Sequence, residues 1–537
     1  MKKTRRMTAV IAAMTLTAAM AVPNMMMTAS AASIEITNIS KDIDHTFEVY
    51  QIFTGTLATD GTFSNLKWGE GASKYENTDV TKETLVDPDI VDAVSGMDAT
   101  AIIKKITLSS TKACDDVTSS NGTASITGLA DGYYLVKDVT NLNNEDDANS
   151  AWIVQVAGTT SIEIKNAKPT VDKQILDETD DAETGATNGW GESADHAINE
   201  KFQFKLTATI PADADYAAYE TYKLVFNDTL SKGITFDQID SVKATSTTLT
   251  GTNAKTLATT DYTKSNITTD TSTGAQAWTL TIADIKSIVD TNTLGTNNAA
   301  KPIFGKEVIT VEVVYTAHLN SDAIISSADG TGVNTNNNKV NLTYSNNPNT
   351  GGTGKTADDY VWCFTYGVNN TKYQVEEKAG NELAGAGFTL YTDSNKTTAI
   401  KLIDNEDGTY TVADQSATTG VITEMTSNTN GVFNIKGLDA GTYCLAETTV
   451  PDGYTKAADT TIVIDAVHVE NATSGADLTM EADSSHLNNP IVDTKNNSLP
   501  STGGMGTLFF RLGGGVSAAL LGVYLVSKKR AKKETAE

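Results

Sequence analysis

Short runs in which apolar and polar residues alternate recur along this chain, as in Phe202-Gln203-Phe204-Lys205-Leu206 and Val311-Glu312-Val313, each bounded by clusters of Gly, Asn, Asp and Thr. A period of two places successive side chains on opposite faces of an extended strand, and the bounding residues are turn formers. Helical periodicity is scarce. The pattern predicts an all-β protein built from tandem immunoglobulin-like β-sandwiches. The 537 residues provide for three to four domains at ~100–200 residues each. An internal repeat supports this organisation: Ile126-Thr127-Gly128-Leu129-Ala130-Asp131-Gly132-Tyr133-Tyr134 matches Ile435-Lys436-Gly437-Leu438-Asp439-Ala440-Gly441-Thr442-Tyr443, and Asp138 falls where Glu447 does. The Asn346–Asp359 run reads as a linker and Lys168-Pro169 as a second boundary, giving domains at 32–168, 169–350 and 357–498.

The two ends are of another kind. Residues 1–31 combine a basic start (Lys2, Lys3, Arg5, Arg6), an apolar stretch and the small-residue site Ala29-Ser30-Ala31, the pattern of a secretory signal peptide. At the other end, residues 499–537 run Leu499-Pro500-Ser501-Thr502-Gly503-Gly504, an apolar segment from Met505 to Val526, then a cluster of Lys and Arg. About 20 apolar residues span a bilayer as a transmembrane helix, and the basic tail stays inside.

Charge excludes one function class. The chain has 40 Lys plus Arg against 67 Asp plus Glu, and once both basic ends are set aside the body carries 30 basic and 65 acidic residues. Such a surface repels phosphate backbones, so no nucleic-acid partner is expected. Five His and three Cys provide no zinc spacing, no disulfide framework and no catalytic dyad, and no GxSxG or HExxH motif is present, so no cofactor, no metal and no enzyme is predicted.

The ordered set of signal peptide, LPSTG, apolar span and basic tail resembles the cell-wall sorting signal of Gram-positive surface proteins. Tyr443 to Tyr454 fits the E-box pattern YxLxETxxPxGY, and the segments at His45, Ser125–Val136, Phe226 and Leu383 also resemble sortase-assembled backbone (major) pilins, the SpaA/FimA-type fimbrial subunits. The resemblance implies Cna A/B-type domains and an exported, peptidoglycan-anchored protein. A sortase would cleave between Thr502 and Gly503 and pass the Thr502 acyl group to a lysine of another copy. The family's pilin motif, a Trp followed by a strand and a Lys-Asn pair, points to Lys165 after Trp152, with Lys168 as the alternative. Partners implied are pilin-class and housekeeping sortases, copies of the chain itself, peptidoglycan, ancillary pilins and host ligands. A monomeric wall-anchored adhesin or an ancillary pilin is the competing reading.

The resemblance implies a second chemistry inside the domains. Burial lowers a lysine pKa and raises that of a carboxyl group, so a neutral amine can attack an amide carbonyl polarised by a protonated acid, with ammonia leaving. For the middle domain the expected set is Lys173 with Asn338 (alternative Asn341) and Asp228 as the assisting acid. For the third it is Lys372 with Asn496 (alternatives Asn497 and Asn489) and Glu447 as the acid. In the first domain Asp138 has the acid's place, but no lysine opens the first strand convincingly, and no bond is expected. Cys363 and Cys444 are read either as buried small hydrophobes or as a pair, and the acidic runs Asn144–Asp147 and Asp404–Asp407 as solvated turns.

Overall fold

The computed structural model describes residues 32–495, except 96–98, 165–167, 178–188, 214–215, 217–218, 293–301, 327–335, 349–350, 465, 468–478 and 481–487. The signal peptide, Lys165, Asn496, Asn497 and the whole segment from Leu499 onward, with Thr502 and its following apolar span, therefore lie outside the described residues.

Alternation becomes sandwich architecture most plainly in the middle domain. Along Lys201–Ile210 the buried residues are Phe202, Phe204, Leu206, Ala208 and Ile210, and along Ile309–Leu319 every second residue from Ile309 is buried. These two strands pair antiparallel over their full length at the centre of a six-stranded sheet that also holds Thr170–Leu176 and Ile234–Thr245. Facing it is an eight-stranded sheet ordered Ser193–Asp195, Asp359–Phe364, Asn337–Ser345, Leu224–Leu230, Gln276–Ile282 and Thr263–Lys264, with two short strands paired at its side. The apolar faces enclose one large core that includes Phe204, Phe226, Trp278, Tyr315 and Leu342.

The first and third domains share a different plan, as the repeat foretold. In the first, Ala32–Thr37 lies between Thr159–Glu163, to which it is parallel, and Ala124–Leu129, to which it is antiparallel. In the third, Tyr366–Gln374 lies between Asn488–Asp493, parallel, and Asn434–Leu438, antiparallel. Each domain thus closes by laying its last strand along its first. The opposing sheets are built on Thr46–Leu57 with Gly132–Asp138, and on Gly387–Tyr391 with Gly441–Thr449.

The boundaries fall differently from the composition reading. Strand Asp359–Phe364 is hydrogen-bonded into the middle domain's sheet, so the third domain's first strand begins at Tyr366 rather than near 357. This strand serves both neighbours: Val361 and Cys363 enter the middle core, and Trp362 and Phe364 the third. The Asn346–Asp359 run is no free linker either. Thr353–Lys355 pairs with Thr343–Ser345. The acidic loop of the first domain docks there through Asn144 N to Thr353 O (2.8 Å), Lys355 N to Glu145 O (3.1 Å) and Asn149 N to Asn346 O (2.8 Å). In the other acidic run, Asp404 and Asp407 accept from the amides of Glu406 (2.8 Å) and Thr409 (2.9 Å), the work of turn residues. All three cysteines are free, with Cys363 and Cys444 buried in different domains.

Candidate functional site

The opening strand of the middle domain, Thr170–Leu176, sends Lys173 into the core, where its side chain is fully buried. Its ammonium meets the Asp228 carboxylate, which is equally buried and comes from the opposite sheet. Asn338 lies on the neighbouring strand, two residues out of register with Asp228, whose direct partner is Val340. Both faces meet at one hydroxyl. Tyr315 Oη donates to Asp228 Oδ1 (3.1 Å) and accepts from Lys173 Nζ (3.3 Å) and from Asn338 Nδ2. One donor and two acceptor sites are all that a phenol offers, so Tyr315 is saturated and fixes the other three groups around it. Asn338 Oδ1 is buried with no hydrogen-bond partner.

The surroundings are apolar. Phe204 stands 5.2 Å from Lys173 Nζ at its ring centroid, and Phe236 and Trp278 pack on Tyr315 at 5.4 and 5.1 Å. Burial pushes the Lys173 ammonium below its ordinary pKa, although the Asp228 charge opposes this. Burial likewise pushes the Asp228 carboxyl above the usual carboxylate range, against the pull of Lys173. Both shifts favour the neutral pair, a free amine beside a carboxylic acid. Such a pair, next to an amide whose oxygen has no partner, can form an amide bond.

In the third domain the same logic has another acyl group. Lys372, fully buried on the opening strand, contacts Asp493 Oδ1 and lies 3.2 Å from Glu447 Oε1, with the Phe388 ring centroid 5.3 Å from its nitrogen. Glu447 comes from the opposite sheet, held by the Ala457 amide on Oε2 (2.6 Å). Asp493 is on the closing strand. Parallel pairing sets Lys372 against Ile491 and Gln374 against Asp493, which brings the carboxylate to the lysine. Asn489 lies at the other end of that strand and bonds Asn370 (3.2 Å), and Asn496 is outside the described residues. The group at Lys372 is therefore an aspartate. Burial raises the Glu447 carboxyl above its usual range. One ammonium between two buried carboxylates leaves a negative charge unless a carboxyl holds a proton, and burial disposes Glu447 to hold it.

The first domain answers the same position without lysine. The registers Ile34 with Ile126 and Val368 with Ile435 superimpose the two opening strands, so Asn38 stands where Lys372 does. Its amide donates to the Ile164 carbonyl (2.8 Å). Asp138 instead binds the buried His45, whose Nδ1 is 2.8 Å from Asp138 Oδ2 and whose Nε2 is 3.2 Å from Asp147 Oδ2. Burial lowers the imidazole pKa, but the two carboxylates outweigh it and raise His45 to about 9. His45 and Tyr315 carried no signal in the sequence beyond their place in strand-like text. Lys168, the alternative to Lys165, has its ammonium on Asp146, 2.7 Å from both the carboxylate and the carbonyl.

Comparison with known proteins bears on both ends of this description. Residues 369–477 match the SpaA family, a prealbumin-like fold domain, and residues 491–534 match the LPXTG cell wall anchor motif. The anchor motif marks an exported, wall-anchored surface protein. No curated protein matches the chain. Among solved structures, it is similar to the T6 backbone pilin of serotype M6 Streptococcus pyogenes, at 18% identity over 81% of this chain and 80% of that one with a TM-score of 0.46. It is similar also to the major pilin SpaD of Corynebacterium diphtheriae (16% identity, 87% and 98% covered, TM-score 0.42) and to BcpA, the major pilin subunit of Bacillus cereus (15%, 88% and 100%, 0.39).

Proposed function

We propose that this chain is the structural backbone subunit of a covalent cell-surface pilus, joined head to tail by sortase and finally attached to peptidoglycan. The observation that supports the reading is the pair of fully buried lysines, each on the opening strand of its domain, Lys173 against Asp228 and sharing Tyr315 with Asn338, and Lys372 against Asp493 on the closing strand, in a chain that ends in a cell wall anchor motif. A wall-anchored polymer under tension needs domains that cannot be pulled open, and a covalent tie between terminal strands meets that need.

The inter-subunit link joins the Lys165 amine of one copy to the Thr502 acyl group of the next. In sequence, Lys165 comes two residues after the end of the first domain's closing strand, and Lys168 is already engaged by Asp146. A contact between two different surfaces of identical subunits does not close, so it propagates as a fibre. A pilin-class sortase would make this link and a housekeeping sortase the link to peptidoglycan. The chain itself turns over no substrate.

Inside the middle domain the neutral Lys173 amine attacks Asn338 Cγ. The new C–N bond forms, the bond to Nδ2 breaks, and ammonia leaves carrying a proton relayed through Asp228. In the third domain the acyl donor is Asp493 in place of the expected Asn496. The Lys372 amine attacks Asp493 Cγ, the new C–N bond forms, a C–O bond breaks, and the oxygen leaves as water with a proton supplied by Glu447. Each reaction runs once, driven by placement inside the fold.

The polymer reading is tested on wall extracts by sodium dodecyl sulfate gel. Wild-type cells give a high-mass ladder, and Lys165→Ala abolishes it while Lys168→Ala preserves it. A ladder that survives Lys165→Ala removes that lysine from the mechanism, and the absence of any ladder in wild type establishes the monomeric adhesin instead.

A further inference from the structure

A second cluster of ionisable groups lies where the middle and third domains meet, apart from both lysine sites. The segment after Glu192 crosses from one domain to the other. Ser193–Asp195 pairs parallel with Trp362–Phe364, the His196 amide bonds Phe364 O (3.0 Å), and the Ile198 amide bonds Gly437 O (3.0 Å) in the third domain. Asn199 Nδ2 reaches Val412 O (2.8 Å). The approach at Gly437 is close: a Cβ there would stand 2.6 Å from Ile198, and its φ of +85° suits glycine.

His196, Glu200 and Asp439 converge at this seam, with one ligand atom from each lying within 4.8 Å of the others. His196 is 1% exposed, and its ring stacks on Phe202 with centroids 4.2 Å apart and planes 3° apart. Its Nε2 is 2.8 Å from the Leu176 carbonyl oxygen. A carbonyl only accepts, so Nε2 carries the hydrogen and Nδ1 is the atom with a lone pair to offer. A metal-binding histidine is held in this way, with one ring nitrogen anchored to a backbone carbonyl so that the other points at the ion. This geometry is independent of the carboxylates.

The carboxylates supply the charge. Besides Glu200 and Asp439, the field at this point includes Asp195 and Asp177, both buried. Negative groups packed this closely need either shared protons or a cation. Asp439 is also particular to this seam: it occupies the turn of the internal repeat where the first domain has Ala130.

We propose that His196, Glu200 and Asp439 bind one divalent transition-metal ion of the Zn²⁺ type, bridging the middle and third domains. An imidazole nitrogen with two carboxylate oxygens suits a borderline ion, whereas calcium and magnesium prefer oxygen throughout. With metal–ligand bonds of about 2.0–2.2 Å, a single ion requires three ligand atoms as near one another as these, which all lie within 4.8 Å. Water completes the sphere. Two ligands come from one domain and one from the other, so the ion stiffens a seam otherwise held by strand pairing and packing.

The test uses the purified mature chain. Zn²⁺ alone, followed by calorimetric titration and by native mass spectrometry, should bind at one ion per chain. Glu200→Gln and Asp439→Asn should each weaken binding by at least tenfold, since even outer partners of a metal site cost about 10–100-fold, while Asp404→Asn in an exposed turn leaves it unchanged. Co²⁺ loading reports the ligand set directly, through absorption bands of nitrogen-containing coordination, even if a variant fails to fold. No stoichiometric uptake, uptake undiminished in both variants, or a Co²⁺ spectrum of oxygen ligands only would overturn the proposal.

Discussion

Asn338→Ala isolates the covalent tie proposed for the middle domain. The substitution removes the acyl carbon but keeps the Lys173 contact to Asp228, so no buried charge loses its partner. A link from 173 to 338 closes a loop of about 165 residues, and the loop-entropy relation gives roughly 5 kcal/mol for it, the upper end of what such cross-links deliver. For a domain of this size, each kcal/mol corresponds to about 2–4 °C in Tm, so the middle domain's transition should fall by about 10–20 °C. Intact-mass spectrometry supplies the chemical half of the test. Ammonia loss makes the wild-type domain about 17 Da lighter than its sequence, and Asn338→Ala should lack that deficit because the nucleophile has no amide to attack. Calorimetry on the same samples links mass to stability. Equal deficits in wild type and variant would refute the assignment of Asn338. A lost deficit with unchanged Tm would refute the argument that the bond stabilises the terminal strands.

Two further outcomes follow from the same chemistry. In the third domain, loss of water predicts a deficit of about 18 Da, abolished by Asp493→Ala and by Glu447→Ala but not by Asn496→Ala; loss of about 17 Da dependent on Asn496 would return that residue to the role. In the first domain, His45 is raised in the folded state from 6.5 to about 9, so its contribution, of order 3 kcal/mol, is complete below pH ~6.5 and disappears as pH rises through ~9. Melting of that domain should therefore drop between those limits in wild type and lose this dependence in His45→Gln; a flat wild-type profile would dismiss the charged clamp.

Much of this was legible in sequence where chemistry and chain position coincide. Lys173 and Lys372 stand out because each lies on the strand that opens its domain, and Glu447 because its motif fixes it. What the sequence hid was register. Nothing in Ile491-Val492-Asp493 says that parallel pairing will deliver Asp493 to Lys372, since a slip of one residue would turn it to the other face. Tyr315 was hidden for a related reason: on the alternating strand Ile309–Leu319 it reads as one more core position. The seam cluster draws on residues more than two hundred positions apart, beyond the reach of any spacing rule. The run Asn346–Asp359 misled because its Gly, Asn and Thr content matches a linker, whereas its backbone is docked against the acidic loop of the first domain.

The contrast between the domains follows from where force would run in the proposed fibre. Tension enters at Lys165 and leaves at Thr502, so it passes through the middle and third domains and never through residues 32–164. Each loaded domain has a buried lysine on its opening strand, and the proposed bonds would let the path skip from Lys173 to Asn338 and from Lys372 to Asp493, leaving both cores outside it. The first domain hangs beside the path. It keeps the acid of the shared plan in Asp138 but pairs it with an imidazole, a clamp that holds against thermal opening and need not resist pulling. Between the two proposed bonds the loaded route has an uncovered stretch, from Asn338 through Asp359–Phe364 to Lys372, and it includes the strand whose alternate residues are divided between two cores. A metal ion on His196, Glu200 and Asp439 would sit beside that stretch, reinforcing the seam that no covalent tie protects.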